Sequence, residues 1–168
     1  HSWRRVVCSV GKRWGIESRM QGMEPLEALL QRYGERPNSK FWLGERPEVR
    51  EDKVVEMILH RAGYPSSNAP CGADHLTELT WKQAAQVLSF CAAKSLVYEM
   101  RHTPSPDSQS DALQALKCLD GTAKFFGNGM WGAGNVDSFA PVSSSTFDAG
   151  VVGYDFTNAF IFWVEEED

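Results

Sequence analysis

Apolar positions recur at steps of three and four over much of the chain and give way to continuous apolar runs near its end. Leu26, Leu29, Leu30 and Tyr33 share one helical face, opened by Pro25, a residue suited to a first turn, and closed by Gly34. Val54, Val55, Ile58, Leu59 and Ala62 form a second face within EVREDKVVEMILHRAG, where Gly63 supplies the stop. Thr80 and Gln83 make a T-x-x-Q capping box at the head of WKQAAQVLSFCAAKSLVYEMRH, and Ala84, Val87, Leu88, Cys91, Ser95 and Tyr98 carry the stripe onward. The two prolines of TPSPDSQS interrupt it. Ser110 or Asp111 then caps a fourth helix through DALQALKCLDGTAKFF, with Leu116, Leu119, Ala123 and Phe126 on its inner face. These last two helices are expected to pack as a hairpin.

The period changes after Phe126. GNGMWGAGNVDSFAPVSSS is rich in glycine and serine and reads as a connector. FDAGVVGYD predicts a strand, DFTN a turn and AFIFWVEE the partner strand. Because Ala159 to Val164 is apolar at every position, this strand is expected to be central or covered on both faces. A lone hairpin is marginal in water, which makes Phe41 to Leu43 and Val136 to Phe139 candidates for further strands. The pattern as a whole predicts an α+β fold, with about four helices packed on a small antiparallel sheet containing a C-terminal β-hairpin. The expected division is a basic extension over residues 1–22 and one domain over 23–168. Within that domain the helical part covers 23–126, the connector 127–145 and the hairpin 146–168.

Composition narrows the function classes. A chain of 168 residues suffices for one core that buries roughly two thirds of its unfolded surface. The net charge of -5 is unevenly distributed: Arg4, Arg5, Lys12, Arg13 and Arg19 against Glu17 make the extension basic, and the remainder is acidic. An acidic body disfavours nucleic acid and anionic membranes and favours basic partners. The extension reads either as a non-native segment or as a basic arm. Cys8, Cys71, Cys91 and Cys118 are too widely spaced for a disulfide framework or a zinc site, which suits a reducing cytoplasm. No apolar run approaches the ~20 residues of a membrane span.

Motifs for chemistry are sparse. Gly127, Gly129 and Gly132 satisfy G-x-G-x-x-G literally, but they follow a predicted helix, whereas a dinucleotide site needs a strand before the glycines and a helix after them. His60, Cys71, His75 and His102 do not form two close ligand pairs, and no metal or cofactor is expected. There is no G-x-S-x-G elbow, and no catalytic residue is assigned.

The chain closes with the apolar run Ala159 to Val164 set against Glu165, Glu166, Glu167 and Asp168, a core strand with an acidic margin. FDAGVVGYDFTNAFIFWVEEED is similar to the C-terminal strands of small bacterial immunity proteins, the cytoplasmic antitoxins encoded beside contact-dependent or type VI secreted toxins. KFWLGERPE, residues 40–48, resembles a stretch near the start of some immunity families, although Leu43 interrupts the Trp-Gly step. The resemblance implies a non-catalytic inhibitor that binds a cognate toxin, itself expected to be basic. Trp131, Phe156 and Trp163 would then be its aromatic anchors, ringed by Asp148, Asp155, Glu165, Glu166, Glu167 and Asp168. On this reading, reversing Glu165, Glu166 and Glu167 to lysine slows association strongly at low salt and weakly at high salt, with little change in melting temperature. The alternatives are an adaptor domain for some other protein and a small enzyme of unrecognised type.

Overall fold

The computed structural model describes residues 22–65, 72–92, 105–132, 135–139, 142–143, 145 and 147–166, without the side chains of 130–132, 135–139 and 147. Its elements run α1 (Glu24–Tyr33), β1 (Ser39–Glu45), a 3-10 turn (Glu51–Lys53), α2 (Val54–Arg61), β2 (Thr77–Leu79), α3 (Trp81–Cys91), α4 (Pro106–Leu116), β3 (Lys124–Gly127), β4 (Gly129–Gly132), β5 (Asn135–Phe139), β6 (Phe147–Tyr154) and β7 (Asn158–Glu166). Five strands form one antiparallel sheet in the order β1-β7-β6-β3-β2, and β4 and β5 pair as a separate ribbon. The fold is α+β, as the change of period predicts. No helix among the described residues is long and apolar enough to cross a membrane.

The register explains why β7 is apolar at every position. It lies between β1 and β6, with Phe162 opposite Phe41 on one side and Val151 on the other. Side chains alternate between the faces of a strand, and both faces of β7 are covered. Phe162 meets Tyr33 of α1 at a ring-centroid distance of 5.7 Å, while Phe160 meets Phe125, which in turn packs edge-on against Trp81 of α3 at 4.9 Å. On the opposite face Trp163 packs on Tyr64 at 5.8 Å, and the Arg61 guanidinium at the end of α2 lies over Trp42. All β7 side chains from Asn158 to Val164 are buried in consequence. Gly150, opposite Trp163 in β6, is dictated by packing: a Cβ there would overlap the Phe162 carbonyl oxygen and the Trp163 ring.

Local signals account for the helix starts. The Thr80 hydroxyl accepts the Gln83 amide at 3.1 Å and the Gln83 side chain accepts the Thr80 amide at 2.9 Å, which completes the predicted capping box. For the next helix the expectation is corrected. α4 starts at Pro106, capped by the Ser105 hydroxyl, which accepts from the Ser108 amide at 3.2 Å. The second proline of TPSPDSQS thus occupies a first helical turn, where its missing N–H costs nothing, and does not break the helix.

Two further expectations change. The stripe assigned to one helix through Phe126 divides, because the chain turns at residues 120–122 and enters β3, so that Phe126 stacks on Tyr154 of the neighbouring strand. The segment read as a connector, 127–145, contains β4 and β5, of which only Val136 to Phe139 was anticipated. Ser95, Tyr98, the basic extension up to residue 21, Cys71 and His102 lie outside the described residues.

Candidate functional site

The two ends of the β6–β7 hairpin differ in chemistry, and the residues grouped by sequence are divided between them. β7 advances about 3.3 Å per residue, so Asn158, where the strand leaves the turn, and Glu165 stand about 23 Å apart.

At the chain-end side, Asp148 and Trp163 are corrections to the surface role expected of them, because both are fully buried. The Asp148 carboxylate accepts hydrogen bonds from the Asn128 side-chain amide at 2.6 Å, the Ser143 amide at 2.8 Å, the Ser143 hydroxyl at 2.6 Å, the Val142 amide at 3.1 Å and the Trp163 indole at 3.2 Å. Burial pushes this carboxyl above its ordinary range, and the donors from Ser143, Val142 and Trp163 pull part of the way back. The result is a structural clip that binds residues 142 and 143 to the sheet.

Glu165 and Glu166 do not form a free negative margin either. Glu165 accepts from the Tyr64 hydroxyl at 2.5 Å and the Ser145 hydroxyl at 3.1 Å, and pairs with the Lys40 ammonium at 3.3 Å. Burial raises its carboxyl, but Tyr64, Lys40 and Ser145 outweigh that and hold it below the usual value. Glu166 pairs with Arg36 at 2.9 Å, and Arg36 also donates to the Cys91 carbonyl. Negative charge here is matched by positive charge and serves to fasten the strand end. Glu167, Asp168 and the side chain of Trp131 lie outside what the structure describes.

The other end presents a different arrangement. Phe156 occupies the turn between β6 and β7 with 79% of its surface exposed, alone among the large hydrophobic residues described. The turn beneath it is fixed from several directions. Asp155, expected in the acidic ring of the contact surface, is instead buried: it accepts the amides of Thr157 at 2.8 Å and Asn158 at 2.7 Å through one carboxylate oxygen, and that of Asp120 at 2.9 Å through the other. Its own amide donates to the Asn158 carbonyl at 2.9 Å. Arg46, just after β1, donates from its backbone to the Thr157 carbonyl at 2.8 Å and from its guanidinium to the Asp155 carbonyl at 3.2 Å.

That guanidinium also lies over the Tyr154 ring and pairs with Glu51, which accepts from the Tyr154 hydroxyl at 3.0 Å and pairs with Lys124 at 3.3 Å. Asp120 is joined to this turn through its amide, which donates to Asp155. Its carboxylate accepts the Thr122 hydroxyl and amide, the latter at 2.7 Å, and these bonds, with a smaller contribution from the Phe156 amide, hold its carboxyl below the ordinary value. Arg46, Glu51 and Asp120 were not picked out from sequence, since surface charges near a turn carry no distinguishing pattern. Only the Asp155-Phe156 step, an apolar residue where turns favour polar ones, was legible.

This geometry suits recognition. Among the described residues no group of His, Cys, Asp and Glu is arranged to hold a metal ion. His60 and His75 are exposed. Cys91 is buried in the core, and burial pushes its thiol up to about 12, far from the range of a nucleophile. No protein-family model matches the chain, and neither a curated protein nor a solved structure matches it significantly.

Proposed function

We propose that this chain is a non-catalytic inhibitor of a bacterial toxin, an immunity protein that acts by binding, with the β6–β7 turn as part of its contact surface. One observation carries the reading: an almost fully exposed phenylalanine stands on a turn whose backbone is already fixed by Asp155 and Arg46. An aromatic side chain held ready in this way meets a partner without first having to be ordered, and buried aromatics supply much of the energy of tight interfaces. The resemblance of the C-terminal strands to those of immunity proteins gives the partner class. The net charge of -5 suits a basic one.

The test is protection. The C-terminal domain encoded by the reading frame directly upstream is expressed in bacteria with and without this chain. The chain is expected to restore growth and to copurify with that domain. Equal toxicity in both cultures, or no toxicity in either, overturns the reading.

A further inference from the structure

We infer that the Phe156 turn is a preformed docking knob for a protein surface bearing an apolar socket with a lysine or arginine at its lip. The inference rests on the binding role proposed above and specifies the chemistry of the partner. Shape gives the first half. Phe156 projects from the end of the buried β6–β7 hairpin, and the hydrogen bonds of Asp155 and Arg46 reach residues on both sides of it. A turn tied on both flanks holds its tip in one place, so the ring enters a socket as a unit and buries about 150 Å² or more of aromatic surface.

Charge gives the second half. The exposed Asp120 is tied to the base of the knob, its amide donating to the Asp155 carboxylate at 2.9 Å, and no cation pairs with its own carboxylate among the described residues. The nearby cations Arg46 and Lys124 share the Glu51 carboxylate, and neither forms an ion pair with Asp120. An approaching surface therefore meets an apolar ring next to an exposed carboxylate that has no ion-pair partner among the described residues. The complement of that pair is an apolar hollow flanked by a cation. An anionic membrane lacks this complement, because the carboxylate would repel the headgroups that the ring would have to pass.

The full chain, biotinylated, is panned against a random peptide library and then compared with Phe156→Asp and Asp120→Asn variants. Recovered peptides are expected to combine an aliphatic or aromatic residue with a neighbouring lysine or arginine. Their affinity should fall at least about tenfold for Phe156→Asp, and about two- to fivefold at low salt for Asp120→Asn. Phe156→Asp should melt as the parent does because the ring is exposed, and Asp120→Asn should melt close to it because the amide oxygen can still accept from Thr122. Recovery of no peptides, or of peptides that bind Phe156→Asp equally well, overturns the inference. So does a self-association seen by sedimentation and lost in Phe156→Asp, which would assign the ring to a second copy. The protection assay separates the two claims: parent and Phe156→Asp protecting equally removes the knob and keeps the inhibitor. Peptide selectivity without protection does the reverse.

Discussion

The Trp163 indole N–H is directed at the Asp148 carboxylate, 3.2 Å away, and solvent reaches neither residue. Together with Val142, Ser143 and Asn128, the indole makes Asp148 the shared acceptor of a buried network. Asp148→Ala leaves those donors without their acceptor inside the protein. Each such loss costs about 1–3 kcal/mol, and the variant should lose about 3 kcal/mol or more in chemical denaturation, with a melting temperature lower by about 6–12 °C. Trp163 fluorescence should shift as well. A loss under about 1 kcal/mol would show that the network contributes little.

Glu165 and Asp148 should respond to acid in opposite senses. The folded-state Glu165 carboxyl is held below its ordinary value of 4.5, so its contribution is present above that value and fades as pH falls through the depressed one. The difference in melting temperature between the parent and Glu165→Gln should be largest near neutrality and shrink progressively as the pH falls below 4.5. Asp148 is raised, so its contribution is fullest at low pH and is lost as pH rises through the raised value. A Glu165→Gln difference that is flat with pH would contradict the pairing with Tyr64 and Lys40.

Charge reversal at the strand end provides a separate check. Glu166→Lys sets a second cation against Arg36, and it should lower the melting temperature, whereas the sequence alone suggested little change. Unaltered melting, with binding slowed at low salt, would restore the picture of a free acidic margin.

Glycine positions offer a paired contrast. Gly150→Ala forces a methyl group against the Phe162 carbonyl and the Trp163 ring, and it should destabilise the fold by about 3 kcal/mol. At Gly121 a Cβ meets nothing within 4 Å, so Gly121→Ala should be neutral or stabilise by up to about 1 kcal/mol. Urea titration of the two variants in parallel decides whether tight packing at the hairpin, and not glycine content in general, sets the sensitivity.

Much of the fold was legible where short-range chemistry decides it. Thr80 and Gln83 define a helix start within a few residues, and the uninterrupted apolar run from Ala159 to Val164 requires cover on both faces wherever it lies. Phe126 was misread because its spacing from Leu119 and Ala123 also fits a helix, and only pairing with Val152 across the sheet distinguishes the two. Asp148 shows the same limit for the candidate site. An aspartate in a strand reads as solvent-facing until the register places it opposite Glu165, in line with Gly150 and Val152 on a covered face. Phe156 was identified early because an exposed aromatic in a turn departs from local rules that need no knowledge of the partner strand.

The order of strands has a consequence for biosynthesis. Among the described strands β1 pairs only with β7, and Ser39 finds its partner Val164 125 residues later. At roughly 5–20 residues per second, the ribosome leaves the Phe41-Trp42-Leu43 segment without its neighbour for about 6–25 s. Helices can form while translation proceeds, but the sheet closes only when β7, which lies between β1 and β6, emerges. Until then a nascent chain exposes some of its stickiest surface, and that interval is when a holding chaperone would matter most.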